Sequence, residues 1–160
     1  MSKNSPFLWF EKEAEQAARF YVSLLPDSRF DGVTTMPADS PSGPAGSVKV
    51  VDFTLAGQAY VAMEAANRPS PFNHAVSFLI PCDSQDEIDR LWDAHLQNGG
   101  TQQNCGWLQD RWGLYWQITP SVLFEMMRSP DRAAGKRAME AMMTMNKLDI
   151  AELEKAFQGA

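Results

Sequence analysis

The sequence predicts an α+β fold in which two tandem strand-helix-strands modules precede a helical tail. Three observations carry this prediction. Short runs alternate apolar and polar residues with period two, as in Val51, Phe53 and Leu55 against Val50, Asp52 and Thr54. Two segments instead repeat their apolar residues at helical spacing, with a start or stop signal at their ends. The order strand, helix, strands then recurs at a spacing of roughly 70 residues, before helix formers take over beyond Pro120.

In the first module, Phe7-Leu8-Trp9-Phe10 is too short for a helix and reads as a strand. It leads into Glu11 to Leu25, where Ala14, Ala17, Ala18, Tyr21 and Leu25 share a face and acids crowd the first turn. Pro26-Asp27-Ser28 stops that helix. Arg29 to Met36 reads as a strand, and Pro37 to Gly46, rich in Pro and Gly, as a surface loop. Strands Ser47 to Leu55 and Ala59 to Ala65 follow, joined at Ala56-Gly57-Gln58; Tyr60, Ala62 and Glu64 share one face of the second.

After the linker Asn67-Arg68-Pro69-Ser70-Pro71, His74 to Ile80 is the next strand. Ser84-Gln85-Asp86-Glu87 has a capping-box pattern, and its helix presents Ile88, Leu91, Trp92, His95 and Leu96 as a buried stripe before Gly99-Gly100. Strands are expected at about Gln103 to Leu108 and Leu114 to Thr119, joined by Gln109-Asp110-Arg111-Trp112-Gly113. The tail holds three helices: Ser121 to Arg128, one restarting at Pro130-Asp131 with Ala134, Ala138, Ala141, Met142 and Met145 as its stripe, and one from Asp149 to about Phe157. Methionines at 126, 127, 139, 142, 143 and 145 make an adaptable apolar surface, read first as core or dimer packing. Module one covers about 5–66, module two about 72–120 and the tail about 121–160, within one domain spanning 1–160.

Composition excludes several function classes. Hydrophobic residues are 44% and charged residues 21%, ordinary values for a folded chain of 160 residues. A net charge of −6, from 14 basic and 20 acidic residues, repels nucleic acid. The apolar runs are far shorter than the ~20 residues a membrane helix needs. No apolar signal core follows the N-terminus, so a cytoplasmic protein is expected. Cys82 and Cys105 then read as reduced thiols without zinc-site spacing, Cys82 as a small core residue.

The tandem modules, Phe20-Tyr21 closing a helix, Gly99-Gly100, Asp110 and Gly113 to Gln117 resemble the vicinal-oxygen-chelate superfamily of glyoxalase, bleomycin-resistance and dioxygenase proteins. Leu8-Trp9-Phe10, Ala17 to Tyr21, Pro44 to Val48, Cys105-Gly106-Trp107-Leu108, Gly113 to Pro120 and Met145 to Ile150 are similar to the PhnB-like group, often labelled 3-demethylubiquinone-9 3-methyltransferase. The resemblance implies two βαβββ modules forming a curved mixed-sheet cup, often completed by a second subunit, so a homodimer that binds a small organic molecule is expected. Methyl transfer is not supported by the residues, since no strand-to-helix glycine loop for S-adenosylmethionine is visible.

In metal-using relatives the first and fourth strands of each module supply four His, Glu or Gln ligands, and the metal acts as a Lewis acid. Here the corresponding positions hold Pro6 or Phe7, Glu64, Ala75 beside His74, and Gln117. Glu64, His74 and Gln117 thus make at most three ligands, and a one-residue register slip decides where His74 points. No complete metal site and no cofactor are expected, a divalent ion being the lesser reading. Each of the three also has a structural reading: Glu64 in an ion pair, His74 opening a strand, Gln117 bonding backbone. Aromatic residues are the stronger signal, since Trp9, Trp107, Trp112 and Trp116 fall where they line or rim the cup. Candidate ligand-binding residues are therefore Trp9, Glu64, His74, Cys105, Trp107, Trp116 and Gln117, Cys105 as a thiol that no neighbouring base activates. A metal-dependent lyase, isomerase or dioxygenase and a mainly structural dimer module are the alternatives.

Overall fold

The structure, a computed structural model, describes residues 3–67 and 70–159, so Arg68 and Pro69 of the expected linker lie outside the described residues. The fold is α+β, with two mixed four-stranded sheets, and the chain divides between Pro71 and Phe72 into two compact units.

The first unit runs β1 (Phe7–Phe10), α1 (Ala14–Leu24), β2 (Arg29–Thr35), β3 (Lys49–Leu55) and β4 (Gln58–Glu64). Its sheet has the order β1-β4-β3-β2, with β1 parallel to β4 and the other pairs antiparallel. Register places Leu8, Phe10, Val51, Phe53, Ala62 and Glu64 on one face. That face meets α1, whose Tyr21 ring lies 6.4 Å from Phe53. The buried stripe of α1 is Ala14, Ala17, Ala18, Tyr21 and Leu24. Leu24 thus takes the place expected for Leu25, which is already extended because the proline after it disfavours helical backbone. At the β3–β4 turn, Ala56 and Gly57 both have positive φ (47° and 77°), the pairing that a two-residue hairpin demands.

The second unit begins with β5 (Ser77–Cys82) and α2 (Gln85–Gln97), followed by β6 (Thr101–Gln102), β7 (Trp107–Gln109) and β8 (Tyr115–Pro120). Its sheet repeats the topology as β5-β8-β7-β6, with β5 parallel to β8. The Ser84 cap forms, its Oγ accepting from the Glu87 backbone N–H, and the return bond of the box is shifted by one residue, Glu87 accepting from the Asp83 N–H and not from that of Ser84. Ile88, Leu91, Trp92 and His95 of α2 are buried, as their spacing predicts; Leu96 is half-buried.

Two strands differ from expectation. β5 starts at Ser77 and not at His74, because the Asn73 side chain accepts from Ala75 N–H and folds 73–76 into a turn. Of the strand expected over 103–108 only Trp107 and Leu108 are in a strand, β7, while β6 ends before it at Gln102. Between them Cys105 and Gly106 take positive φ (61° and 80°), and their N–H groups donate to Met145 and Asn146 carbonyls of the tail. A Cβ on Gly106 would sit 2.8 Å from the Ile118 carbonyl oxygen and 2.9 Å from Leu148, so no side chain fits there.

The tail folds as α3 (Ser121–Arg128), α4 (Arg132–Met142) and α5 (Ile150–Gln158) around Leu123, Met126, Ala138, Leu148 and Leu153. Met142 and Met145 pack on this cluster, whereas Met127, Met139 and Met143 are exposed. The methionines therefore divide between core and surface. Gln85 on α2 bonds both Leu148 O and Ile150 N–H, and Lys147 pairs with Asp89 at 2.8 Å, which fastens the 145–150 strap to the second unit.

Candidate ligand-binding face

In the first unit, register separates Trp9 and Glu64. Trp9 lies opposite Met63 on the face turned away from α1, and its indole N–H donates to Ala65 O at 3.2 Å. Glu64 is on the other face, against the helix. Helix α1 has no side-chain cap hydrogen bond from its N-cap residue Glu13, whose backbone is left-handed. Glu64 supplies the missing acceptor from β4: one carboxylate oxygen takes the Ala14 N–H at 3.0 Å and the other takes the Lys49 ammonium at 2.8 Å. Burial pushes this carboxyl up, but the bonds from Lys49 and Ala14 and the Lys49 charge outweigh it and hold it below the ordinary glutamate range.

Glu64 is thus a helix cap and an ion-pair partner, with both oxygens committed. Glu64→Ala is expected to lower stability by about 1–2 kcal/mol, the value of a lost cap and charged hydrogen bond. Denaturant unfolding measures it, and unchanged stability would contradict the capping role.

In the second unit the faces divide just as sharply. Trp116 is 0% exposed on the α2 side, edge-on to Phe78 at 5.0 Å and beside His95 at 5.0 Å, with its indole N–H on Asp110 Oδ2 at 2.9 Å. Asp110 is a buried turn organiser whose other oxygen accepts from the Trp112 and Leu114 N–H groups. The expectation that Trp116 lines the ligand surface is therefore corrected: as the residue before Gln117 on a strand, it faces the opposite way. Trp112 lies under the Arg111 guanidinium, 4.5 Å from its ring centre.

The other face of this sheet brings together Ser77, Trp107, Tyr115 and Gln117. Gln117 Nε2 donates to Ser77 Oγ at 2.8 Å. The His74 ring lies over Tyr115 with centroids 3.9 Å apart and is 6.4 Å from that of Trp107. His74 is exposed in the 73–76 turn, so stacking and not strand alternation sets its direction. Leu79, on the same face, is 46% exposed. Among the expected site residues, His74, Trp107 and Gln117 are brought together here. Cys105 is in the turn before Trp107, half-buried, with its backbone held by Met145. Tyr115 and Ser77 belong to this face and were not expected; Tyr115 stands two residues before Gln117, and period-two alternation was the signal that could have found it.

For a metal, the donor set does not fit. Glu64 is engaged with α1 and Lys49, and in the second unit His74 and Gln117 leave a four-ligand site incomplete. Among the described residues, no group of three or more His, Cys, Asp or Glu side chains lies close enough to hold an ion. Tyr115 itself is buried beneath His74, so what the second face can do is offer the His74 and Trp107 rings to a planar group and hydrogen-bond it at one edge.

A family model described as 3-demethylubiquinone-9 3-methyltransferase matches residues 2–119. A solved structure of a putative 3-demethylubiquinone-9 3-methyltransferase, PhnB protein, from Bacillus cereus is 30% identical, with a TM-score of 0.65 covering 75% of this chain and 100% of that one. A glyoxalase family protein from Bacillus cereus is similar in fold, at 10% identity and a TM-score of 0.51 over 75% of this chain and 97% of its own. The genomically encoded fosfomycin resistance protein of Listeria monocytogenes is likewise similar in fold, at 14% identity and a TM-score of 0.54 over 81% of this chain and 100% of its own. No curated protein matches the chain.

Proposed function

Since the chain belongs to the family described as 3-demethylubiquinone-9 3-methyltransferase, we propose that it binds a small, neutral, planar organic molecule on the second sheet without needing a metal. Its fold is that of the glyoxalase and fosfomycin-resistance proteins, which in itself assigns no chemistry. The observation that carries the proposal is the Gln117–Ser77 hydrogen bond set beside Trp107, Tyr115 and His74. Because Ser77 Oγ accepts from Gln117, its own proton remains available, as does the Gln117 carbonyl oxygen. A donor and an acceptor side by side suit a hydroxyl or amide group, and no Lys, Arg, Asp or Glu stands among these five residues to favour an ion.

Methyl transfer finds no support in the chain's residues. Neither parallel strand pair joins consecutive strands through a helix, so there is no βαβ turn on which a cofactor's charged groups would rest at a helix N-terminus. The partner is proposed as a small molecule and not a polyanion or a bilayer: the net charge is −6, and among the described residues no helix is long and apolar enough to cross a membrane. A homodimer belongs to the same reading, supported by the exposure of Phe7, Val76 and Leu79.

Titration of chelator-treated protein with phenol, benzamide and toluene tests the reading through tryptophan fluorescence. Phenol and benzamide are expected to quench it and toluene to bind more weakly. Gln117→Leu is expected to cost the first two about tenfold in affinity, the value of one hydrogen bond of about 1.4 kcal/mol. Trp107→Phe is expected to remove most of the quench while leaving affinity, measured by calorimetry, nearly unchanged. Equal affinity for all three probes, indifference to Gln117→Leu, or binding that appears only on adding a divalent metal would each overturn it.

A further inference from the structure

The tail lies beyond residue 119, where the family match ends. It has a cleft of its own, of about 560 Å³, between α3 and α5 at the start of α4. Its apolar surface is Val122, Met126, Pro130 and Phe157, and Val122 and Phe157 are edge members of the tail's packed core. Glu125 and Glu154 stand on its two sides, one from each helix. Both are exposed, and neither has an ion-pair partner among the described residues. No Lys or Arg lines the cleft. Two arginines close by are turned to other work: Arg137 donates to the Ala156 and Phe157 carbonyls, at 3.0 and 2.6 Å, and Arg132 to the Met127 carbonyl at 3.1 Å.

We propose that this cleft binds a small organic cation with an apolar body, such as an aryl- or alkylammonium. Its size falls within the range of roughly 300–1,000 Å³ occupied by small-molecule sites. Charge complementarity selects the occupant. An anion would meet two carboxylates, and a neutral apolar molecule would leave them unused. An ammonium head placed between Glu125 and Glu154 is attracted by both and offsets one of their two charges, and its body lies on Val122 and Phe157 over the buried Met126. The Phe157 ring adds attraction for a cation near its face. The cleft belongs to the helical tail alone, so it is independent of the aromatic face of the second sheet.

The test compares phenethylammonium with phenethyl alcohol, which has the same body and no charge, by nuclear magnetic resonance of methionine methyl groups and backbone amides. The cation is expected to shift Met126 and Phe157, to bind at least tenfold tighter than the alcohol, and to weaken as salt is raised. Glu125→Gln with Glu154→Gln is expected to erase that preference while leaving the spectrum of the folded protein intact. Gln117→Leu is expected to leave cation binding unchanged, which separates this site from the sheet face. Absence of binding at millimolar cation, equal affinity for the alcohol, shifts located elsewhere, or a preference surviving both substitutions would overturn the proposal. A single Phe157→Ala variant that loses the alcohol and the cation together, with the fold kept, would support the shared apolar floor.

Discussion

Trp116→Ala is expected to lower the unfolding free energy by about 3–5 kcal/mol, the range for truncating a fully buried large aromatic side chain. Three contributions act together. The indole fills the space between β8 and α2, where its neighbours Phe78 and His95 are held by their own elements and cannot collapse far into a cavity. The Asp110 carboxylate loses its indole donor at 2.9 Å, inside a buried turn. That turn also sets the β7–β8 register through the Trp112 and Leu114 N–H groups. Trp116→Phe keeps most of the packing and removes the donor, so it is expected to cost less than the alanine variant. Guanidinium unfolding measures both as a shift in midpoint at constant m. Since Trp116 faces α2 and not the aromatic face, Trp116→Phe should also leave the affinity for phenol unchanged. A small loss for the alanine variant, below about 1 kcal/mol, would mean that the indole is not close-packed.

The contrast between Trp116 and Gln117 shows where reading the sequence reaches its limit. Alternation places neighbours on opposite faces, and that was legible: Val51, Phe53 and Leu55 are buried together as expected. Helix signals were also legible, the Ser84 cap with Glu87 above all, because its chemistry is local. Which face of a strand meets a helix is not local. Tyr60, Ala62 and Glu64 were rightly grouped, yet only the packing of α1 against them turns Glu64 into a cap for a helix 50 positions away in sequence. The two displaced strand boundaries have the same origin. Residues 73–76 and 103–106 leave their expected strands because an Asn73 side chain in one case and two carbonyls of the distant strap in the other give the backbone hydrogen bonds outside the sheet. His74 shares in this: its placement over Tyr115 follows from a turn, so strand parity could not have found it.

His95 leads to the second large effect, on the pH dependence of stability. The imidazole is 1% exposed on α2, and burial pulls its pKa down to about 4 from 6.5. In the folded protein it is therefore neutral at pH 5, while in the unfolded chain it is mostly protonated. The unfolded state then binds more protons, so stability rises with pH through this window and falls as the solution is acidified. The contribution is complete above about pH 6.5 and is lost between there and about pH 4. Linkage converts the shift into a loss of about 2 kcal/mol on going from pH 7 to pH 5, and about 3 kcal/mol by pH 4. The two lowered carboxyls, Glu64 and Asp89, act in the same direction but lower on the scale. Their stabilising effect is present above their ordinary values of 4.5 and 3.8 and is lost below them. The interval from pH 7 to pH 5 therefore isolates the histidine. Denaturant unfolding at these two values is expected to show the drop in the native protein and a nearly flat response in His95→Leu, which keeps an apolar side chain of similar volume against Trp116. Parallel pH responses in the two proteins would show that the imidazole takes up its proton within the fold, which the closed contact between α2 and β8 does not allow.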